Sequence, residues 1–405
     1  MPTDNLMRRN VFILAICLAL MMSATSLVII TSALVGVILA PNRVWATVPL
    51  ACMFIGSLSC AFPASLLMKR IGRRAGFSVG LVFALIGAVI ATLGLLERSF
   101  FLFCVGSLLI GLFNGFGQFY RFAAADVASE AYRSRAISWV MAGGVGAAFV
   151  GPNLANWSQH LIVGTRFAGS YASLLVLYLL SLSLIAWIRI PKPSAEERNQ
   201  VGRPLSQIAI QPVFVVAALS AVAAYSVMNL IMTSTPLAMD RYGHDFEQTA
   251  WVIQWHILGM FAPSFVTGHL IRRFSATRVM IGGTFLLGLC VVVNLHGQSI
   301  PHFWLALVLL GLGWNFLFIG GTTLVTEAYM PAEKAKTPGL NEFLVLGMVA
   351  LTALTSGVLH LWLGWLTLNI VVVPMIVAAL ISVIWLDRVR SRVLVPSGQG
   401  KIKSV

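Results

Sequence analysis

Two short motifs gather the soft donor atoms of this sequence, Met228-x-x-x-Met232 and His256-x-x-x-Met260. Residues four apart on a helix share one face, one turn above the other, so each motif offers two donors in a column. Thioethers are soft and neutral. With an imidazole they suit Cu(I) and hold hard divalent cations poorly. Neutral donors also avoid the cost of an unpaired charge in lipid. On antiparallel neighbouring helices, at a rise of about 1.5 Å per residue, His256 falls near the level of Met232 and Met260 near that of Met228. The four would then form a ladder with copper as the cargo. The competing reading is packing: methionine fills irregular gaps in cores, and an intramembrane histidine bonds to Gln254 or to a neighbouring helix.

The elements that must position these residues are membrane helices. Of 405 residues, 59% are hydrophobic and 10% charged, against about 25% charged in soluble domains. Each crossing needs about 20 apolar residues, because a helix satisfies its own backbone where lipid cannot. The sequence predicts an all-α polytopic protein of twelve helices, near 11–40, 46–68, 76–96, 100–119, 136–158, 168–188, 213–238, 249–270, 277–296, 303–325, 340–360 and 366–386. Arg8 and Arg9 precede an apolar run too long for the core of a cleavable signal. Cys17, Cys52, Cys60, Cys104 and Cys290 all fall inside apolar segments. They form no CxxC pair and read as inert thiols or as thiolate donors nearer the inside.

The net charge of +14 does not imply nucleic acid, because it sits in short loops. With both termini in the cytoplasm, every Lys and Arg of the 27 faces inward except Arg43, Arg98, Arg166 and Arg241. That asymmetry predicts a membrane protein with a cytoplasmic N- and C-terminus, whose partner is the lipid bilayer. The longest polar interruption, 189–211, contains Pro191, Pro193, Glu196, Glu197 and Arg198 and reads as a linker between halves 1–188 and 212–405. The halves echo each other: Arg70 corresponds to Arg273, and Ser129-Glu130-Ala131-Tyr132 to Thr326-Glu327-Ala328-Tyr329. Two parallel repeats place a substrate site at their interface near the bilayer midplane.

The stretch Lys69-Arg70-Ile71-Gly72-Arg73-Arg74 resembles the loop after the second helix in the major facilitator superfamily, with Gly268 to Arg273 as a degenerate second copy. Lys69 stands where that pattern usually has aspartate, which puts the family's charge lock in question. Arg70, Gly72, Arg73 and Arg273 are candidate gating residues; the alternative is topology and contact with lipid phosphate. Gly143, Gly144, Gly146, Gly151 and Pro152 resemble the Gly-Pro motif of superfamily antiporters, whose physical content is close packing and a bend. The Met/His motifs of helices seven and eight resemble the signature of the CcoA-type copper importers. The resemblance implies copper uptake by alternating access for haem-copper cytochrome c oxidase assembly. Met228, Met232, His256 and Met260 would be ligands, with a cytoplasmic copper chaperone or exporter downstream.

Further path candidates are Met21, Met22, Asn114, Gln118, Tyr225 and Trp255, with Trp314 beside them; packing and interhelical hydrogen bonding compete for each. Asp126, Glu130, Arg133 and Arg135 read as a loop network. No carboxylate is expected near mid-membrane, where a proton-coupled transporter often keeps one; His256 is one candidate for coupling. The glycine runs lack the Gly-Lys-Ser/Thr ending of a phosphate loop, and no nucleophile–base pair supports an enzyme. No cofactor is expected. The alternative cargo is a small organic molecule such as riboflavin, which Trp255, Trp314, Asn114 and Gln118 would suit. A drug exporter and a copper-binding sensor or assembly factor are the remaining readings. The tail from Asp387 is too short for a sensor's output domain.

Overall fold

The structure, a computed structural model, describes residues 4–42, 45–191 and 202–394. Among them it is all-α, in twelve crossings. Ten are single stretches long and apolar enough to span. The eighth is two helices, Phe246–Phe261 and Ser264–Phe274, and the eleventh is the first part of the long helix Lys336–Val371. Arg43, Lys192, Pro193, Glu196, Glu197, Arg198, Lys401 and Lys403, which enter the charge count or the expected linker, lie outside the described residues.

The main departures from expectation are at helix ends, where polar residues extend a helix past its apolar run. The first crossing begins at Asp4. There Asn10 Nδ2 donates to Arg189 O at 2.9 Å, and Asn10 Oδ1 accepts from Arg189 N–H at 3.2 Å. This ties the start of the first crossing to the end of the sixth. The fourth crossing, Phe100–Gly117, continues past an irregular turn as Tyr120–Val127. The fifth breaks at Gly143, between Arg133–Ala142 and Gly144–Ser158. A Cβ at Gly143 would collide with Ala15 O, and one at Gly151 would lie 2.7 Å from Ser26 Cβ. The glycines therefore let the first and fifth crossings touch by backbone, as small residues do where lipid supplies no hydrophobic drive.

The eighth crossing breaks at Pro263, which has no N–H and crowds the preceding turn. The tenth crossing, Ile300–Glu327, repairs the damage. Asn315 Nδ2 donates to Met260 O (2.6 Å) and to Ser264 Oγ (2.7 Å), while Thr267 Oγ1 donates to Asn315 Oδ1 (2.7 Å). Broken helices persist at membrane depth only where a neighbour satisfies the freed groups in this way.

On the side that carries the N-terminus, small residues let the halves pack closely. Gly339 of the eleventh crossing lies against Ser65 and Phe62 of the second, Val48–Ile71. Gly268 of the eighth packs on Arg135, and Ser134 Oγ donates to Gly268 O at 3.3 Å. The signature loop sits on this side. Gly72 has φ 88°, ψ 160°, and Ser275, 203 positions later, has φ 85°, ψ 157°. The repeat thus extends to the same backbone turn, in a region of φ/ψ that is almost confined to glycine and costs other residues about 1–3 kcal/mol. Ser275 Oγ caps Arg278 N–H at 3.4 Å, but replacing such a cap by glycine costs only a few tenths of a kcal/mol. Ser275→Gly is therefore expected to stabilise the protein by about 1 kcal/mol, read as a raised thermal midpoint in detergent.

The end of the linker is clasped to the loop after the tenth crossing. Arg203 donates from N and Nε to Glu333 Oε1 (2.7 and 2.8 Å) and from Nη2 to Oε2 (2.5 Å), and Lys336 Nζ donates to Arg203 O. Hydrogen bonds from Arg203 hold the buried Glu333 carboxyl down, to about 2, against the opposing effect of burial. A carboxyl lowered in the folded state stabilises it above its unfolded pKa of about 4.3, and the contribution disappears as pH falls toward the folded value. A spin label at the exposed Ser206 should stay immobile from pH 7 to 5 and gain mobility between pH 5 and 2. Glu333→Gln should free it already at pH 7.

Candidate functional site

The Met/His and aromatic candidates of the sequence fall into three groups. The Met/His motifs form the first. Met228 and Met260 are buried and Met232 half-buried, while His256 is fully buried. His256 Nδ1 lies 2.8 Å from Leu307 O. A carbonyl only accepts, so Nδ1 carries the proton and Nε2 presents a bare lone pair, buried and without a partner. A Cβ at Gly311 would lie 2.6 Å from His256 O and 2.7 Å from Met260 N, so the eighth and tenth crossings touch there by backbone. The seventh crossing, Pro212–Arg241, packs chiefly on the tenth and eleventh, and the eighth chiefly on the tenth. His256 thus faces the tenth crossing. Among the described residues no three His, Cys, Asp or Glu gather at a metal site.

The second place is the outer surface. Trp255 is 40% exposed and packs with Trp251 (6.1 Å between centroids) and Trp304 (5.9 Å). It does not join Tyr225 and Trp314.

The third place lies between the halves. Arg121, from the end of the fourth crossing, donates from Nη2 to Glu342 Oε1 of the eleventh at 2.5 Å, and the two side chains are 3% and 1% exposed. Gln118 turns back on the pair: Arg121 Nη1 donates to its Oε1 (3.1 Å) and its O (3.2 Å). Asn341 Nδ2 donates to Glu342 Oε1 at 2.8 Å. The guanidinium also lies 4.3 Å over the Phe318 ring. Phe318 stacks on Trp314 at 4.8 Å, and Tyr225 sets its ring edge-on to both, at 5.0 and 5.2 Å. Phe261 adds a fourth ring, 5.9 Å from Trp314. In the other half Asn114 accepts from Thr25 Oγ1 at 3.2 Å, and the Met21 thioether fills the space a Cβ on Gly117 would need. Met21 therefore packs the first crossing against the fourth; Met22 is half-buried.

The expectation from the sequence concerned carboxylates near mid-membrane, and Glu342 lies short of that depth, near one end of its helix. Glu342 sits about 9 Å along its helix from Lys336, at a rise of 1.5 Å per residue. Arg121 reads as a loop residue only if the fourth helix ends at 119. The signal in the sequence was two opposite charges near the same end of crossings from different halves.

The loop residues hold a second contact between halves. Arg73 donates from Nη2 to Asp126 Oδ2 at 2.9 Å, and Tyr329, from beyond the tenth crossing, donates to Asp126 Oδ1 at 3.5 Å. The carboxylate this loop meets is Asp126, from the end of the fourth crossing. Burial and the neighbouring Asp126 raise the Tyr329 hydroxyl above its usual pKa, so it remains a donor. Arg70 and Arg273 are exposed, and Arg273 lies 5.2 Å over Phe274.

Twelve crossings in two halves, meeting around a buried ion pair and an aromatic group, define a membrane transporter. The chain belongs to the Major Facilitator Superfamily, whose profile matches residues 11–254 and 217–404. It is 40% identical to the riboflavin transporter RfnT of Brucella anthropi, over 93% of this chain and 95% of that one. It is 29% identical to the uncharacterized transporter YdeG of Bacillus subtilis, over 91% of this chain and 89% of that one. In fold it is similar to the human organic anion transporter MFSD10 (TM-score 0.73, 15% identity, covering 95% of this chain and 100% of that one). It is also similar to the transporter FucP in its outward conformation (TM-score 0.71, 16% identity, covering 92% and 97%). The similarity to RfnT overturns copper import as the leading reading, and with it the supply of copper to cytochrome c oxidase.

Proposed function

We propose that this chain imports riboflavin or a closely related flavin, across an inner membrane with both termini in the cytoplasm. The observation that carries the reading is the 40% identity to a riboflavin transporter along nearly the whole of both chains. The geometry between the halves supports it. Riboflavin is a flat fused heterocycle whose imide edge sets one N–H between two carbonyls. Tyr225, Trp314, Phe318 and Phe261 are the aromatic surfaces such a ring would stack on. Beside them, Arg121 Nε and Trp314 Nε1 are buried donors without partners, and Asn341 Oδ1 is a buried acceptor without one. Buried polar atoms left unpaired are costly, and two donors with one acceptor complement an imide edge. The charge asymmetry of the loops supports the orientation.

The test is uptake of labelled riboflavin by a riboflavin-requiring bacterium that lacks its own importer, with and without this chain. Accumulation that depends on the chain is expected; none at all, with the protein present in the membrane, overturns the reading. Met228→Leu and Met232→Leu should leave uptake within about twofold, because volume-conserving exchanges cost under about 1.5 kcal/mol and neither methionine is asked to touch the flavin.

A further inference from the structure

A crevice of about 320 Å³ opens between the eighth, ninth and tenth crossings, on the side that carries the N-terminus. Its walls are Leu270, Phe274, Val279, Gly282 and Phe316, with Arg278 the one charged member. The volume lies at the lower end of the roughly 300–1,000 Å³ of small-molecule sites, and the walls are almost wholly apolar. Phe274 is 44% exposed at the mouth. A Cβ placed on Gly282 would meet nothing within 4 Å, so the glycine leaves space that no part of the described chain fills.

The rim of the crevice is cationic. Arg278 is exposed in the first turn of the ninth crossing, Ala276–His296, and Arg273 lies over the Phe274 ring that forms the wall. Neither forms a salt bridge among the described residues. The nearby carboxylate, Asp387, is taken on the buried side of the same helix by Thr277 Oγ1. One guanidinium in the wall of an apolar slot and a second over its Phe274 wall, neither in a salt bridge among the described residues, fit a ligand with a phosphate head and a hydrocarbon tail. Arginine forks bind phosphate oxygens well, and basic pockets between transmembrane helices take anionic headgroups.

We propose that this crevice binds one anionic phospholipid, its acyl chain along Leu270, Val279, Gly282 and Phe316 and its phosphate between Arg273 and Arg278. The site lies apart from the interface between the halves, and its test needs no transport. The chain would be purified in detergent, supplied with phosphatidylglycerol or with phosphatidylcholine of the same acyl chains, and weighed intact by native mass spectrometry. The wild type is expected to retain one phosphatidylglycerol and to prefer it over phosphatidylcholine. Arg273→Glu and Arg278→Glu should each lower retention roughly fivefold, from about 1 kcal/mol per basic residue at a membrane surface. Arg8→Glu, an equal charge change at an exposed position remote in sequence, should not. Gly282→Phe fills the slot with both arginines intact and should abolish the retained lipid. Undiminished retention by Gly282→Phe, or equal retention of phosphatidylcholine by the wild type, overturns the proposal.

Discussion

Glu342→Gln is expected to destabilise the protein by about 3–5 kcal/mol, the usual cost of leaving one partner of a buried ion pair unpaired. The pair is 3% and 1% exposed, so solvent cannot take over from the missing carboxylate. Arg121 would retain Gln118, the faces of Phe318 and Phe122 and at best a neutral amide oxygen at position 342, with its charge uncompensated. The double variant Arg121→Met/Glu342→Leu is expected to recover most of that loss. Replacing both charges by apolar groups of similar size removes their desolvation together, and such exchanges are often neutral or better. The double variant should still transport at least tenfold more slowly, because it keeps the packing but lacks the contact that holds the two halves together beside the site. Thermal midpoints of the wild type, Arg121→Met, Glu342→Leu and the double variant, in one detergent, give the coupling directly. If the loss in the double variant equals the sum of the two single losses, the pair carries no coupling.

The second large effect is expected at Trp314. Trp314→Phe removes the unpartnered Nε1–H and one of the two fused rings but leaves an aromatic face for Phe318, Tyr225 and Phe261. Stacking of a heterocycle on an aromatic side chain is worth roughly 1–3 kcal/mol, and every 1.4 kcal/mol is tenfold in affinity. Because the phenyl ring keeps part of that stacking, a loss of about 1–2 kcal/mol is expected, and the concentration of riboflavin for half-maximal uptake should rise about 5- to 30-fold. The maximal rate and the level of protein in the membrane should fall much less. Trp255→Phe, in the separate outer cluster, should leave that concentration within about twofold. Equal effects of the two substitutions would place the flavin elsewhere in the protein.

Those contrasts show how unevenly the sequence could be read. The twelve crossings and the two halves were legible because each crossing is a property of its own 20 or so residues. Arg70 and Arg273, and the strings ending in Tyr132 and Tyr329, also exposed the repeat, which Gly72 and Ser275 carry down to one backbone turn. The site was legible only in part. Asn114, Gln118, Tyr225 and Trp314 were among the candidates, and the structure gathers Gln118, Tyr225 and Trp314 around Arg121 or its aromatic neighbours. Trp255, of the same residue type and in the helix of His256, turned outward. The Met/His spacing was real, and helical periodicity did put each pair on one face. It could not say which neighbour that face would meet, and for His256 the tenth crossing supplied the answer.

By itself, then, the sequence determined an all-α membrane protein and the charge pattern that marks its two sides. Hydropathy and loop charge act locally, at the scale of one helix and the turn after it. Only the tertiary structure decided that Arg121 meets Glu342 across 221 positions of chain, that Phe318 lies between a cation and a tryptophan, and that His256 answers to Leu307. Each of those depends on the rotation of a helix about its axis. Close packing among several neighbours sets that rotation, and no single helix encodes it.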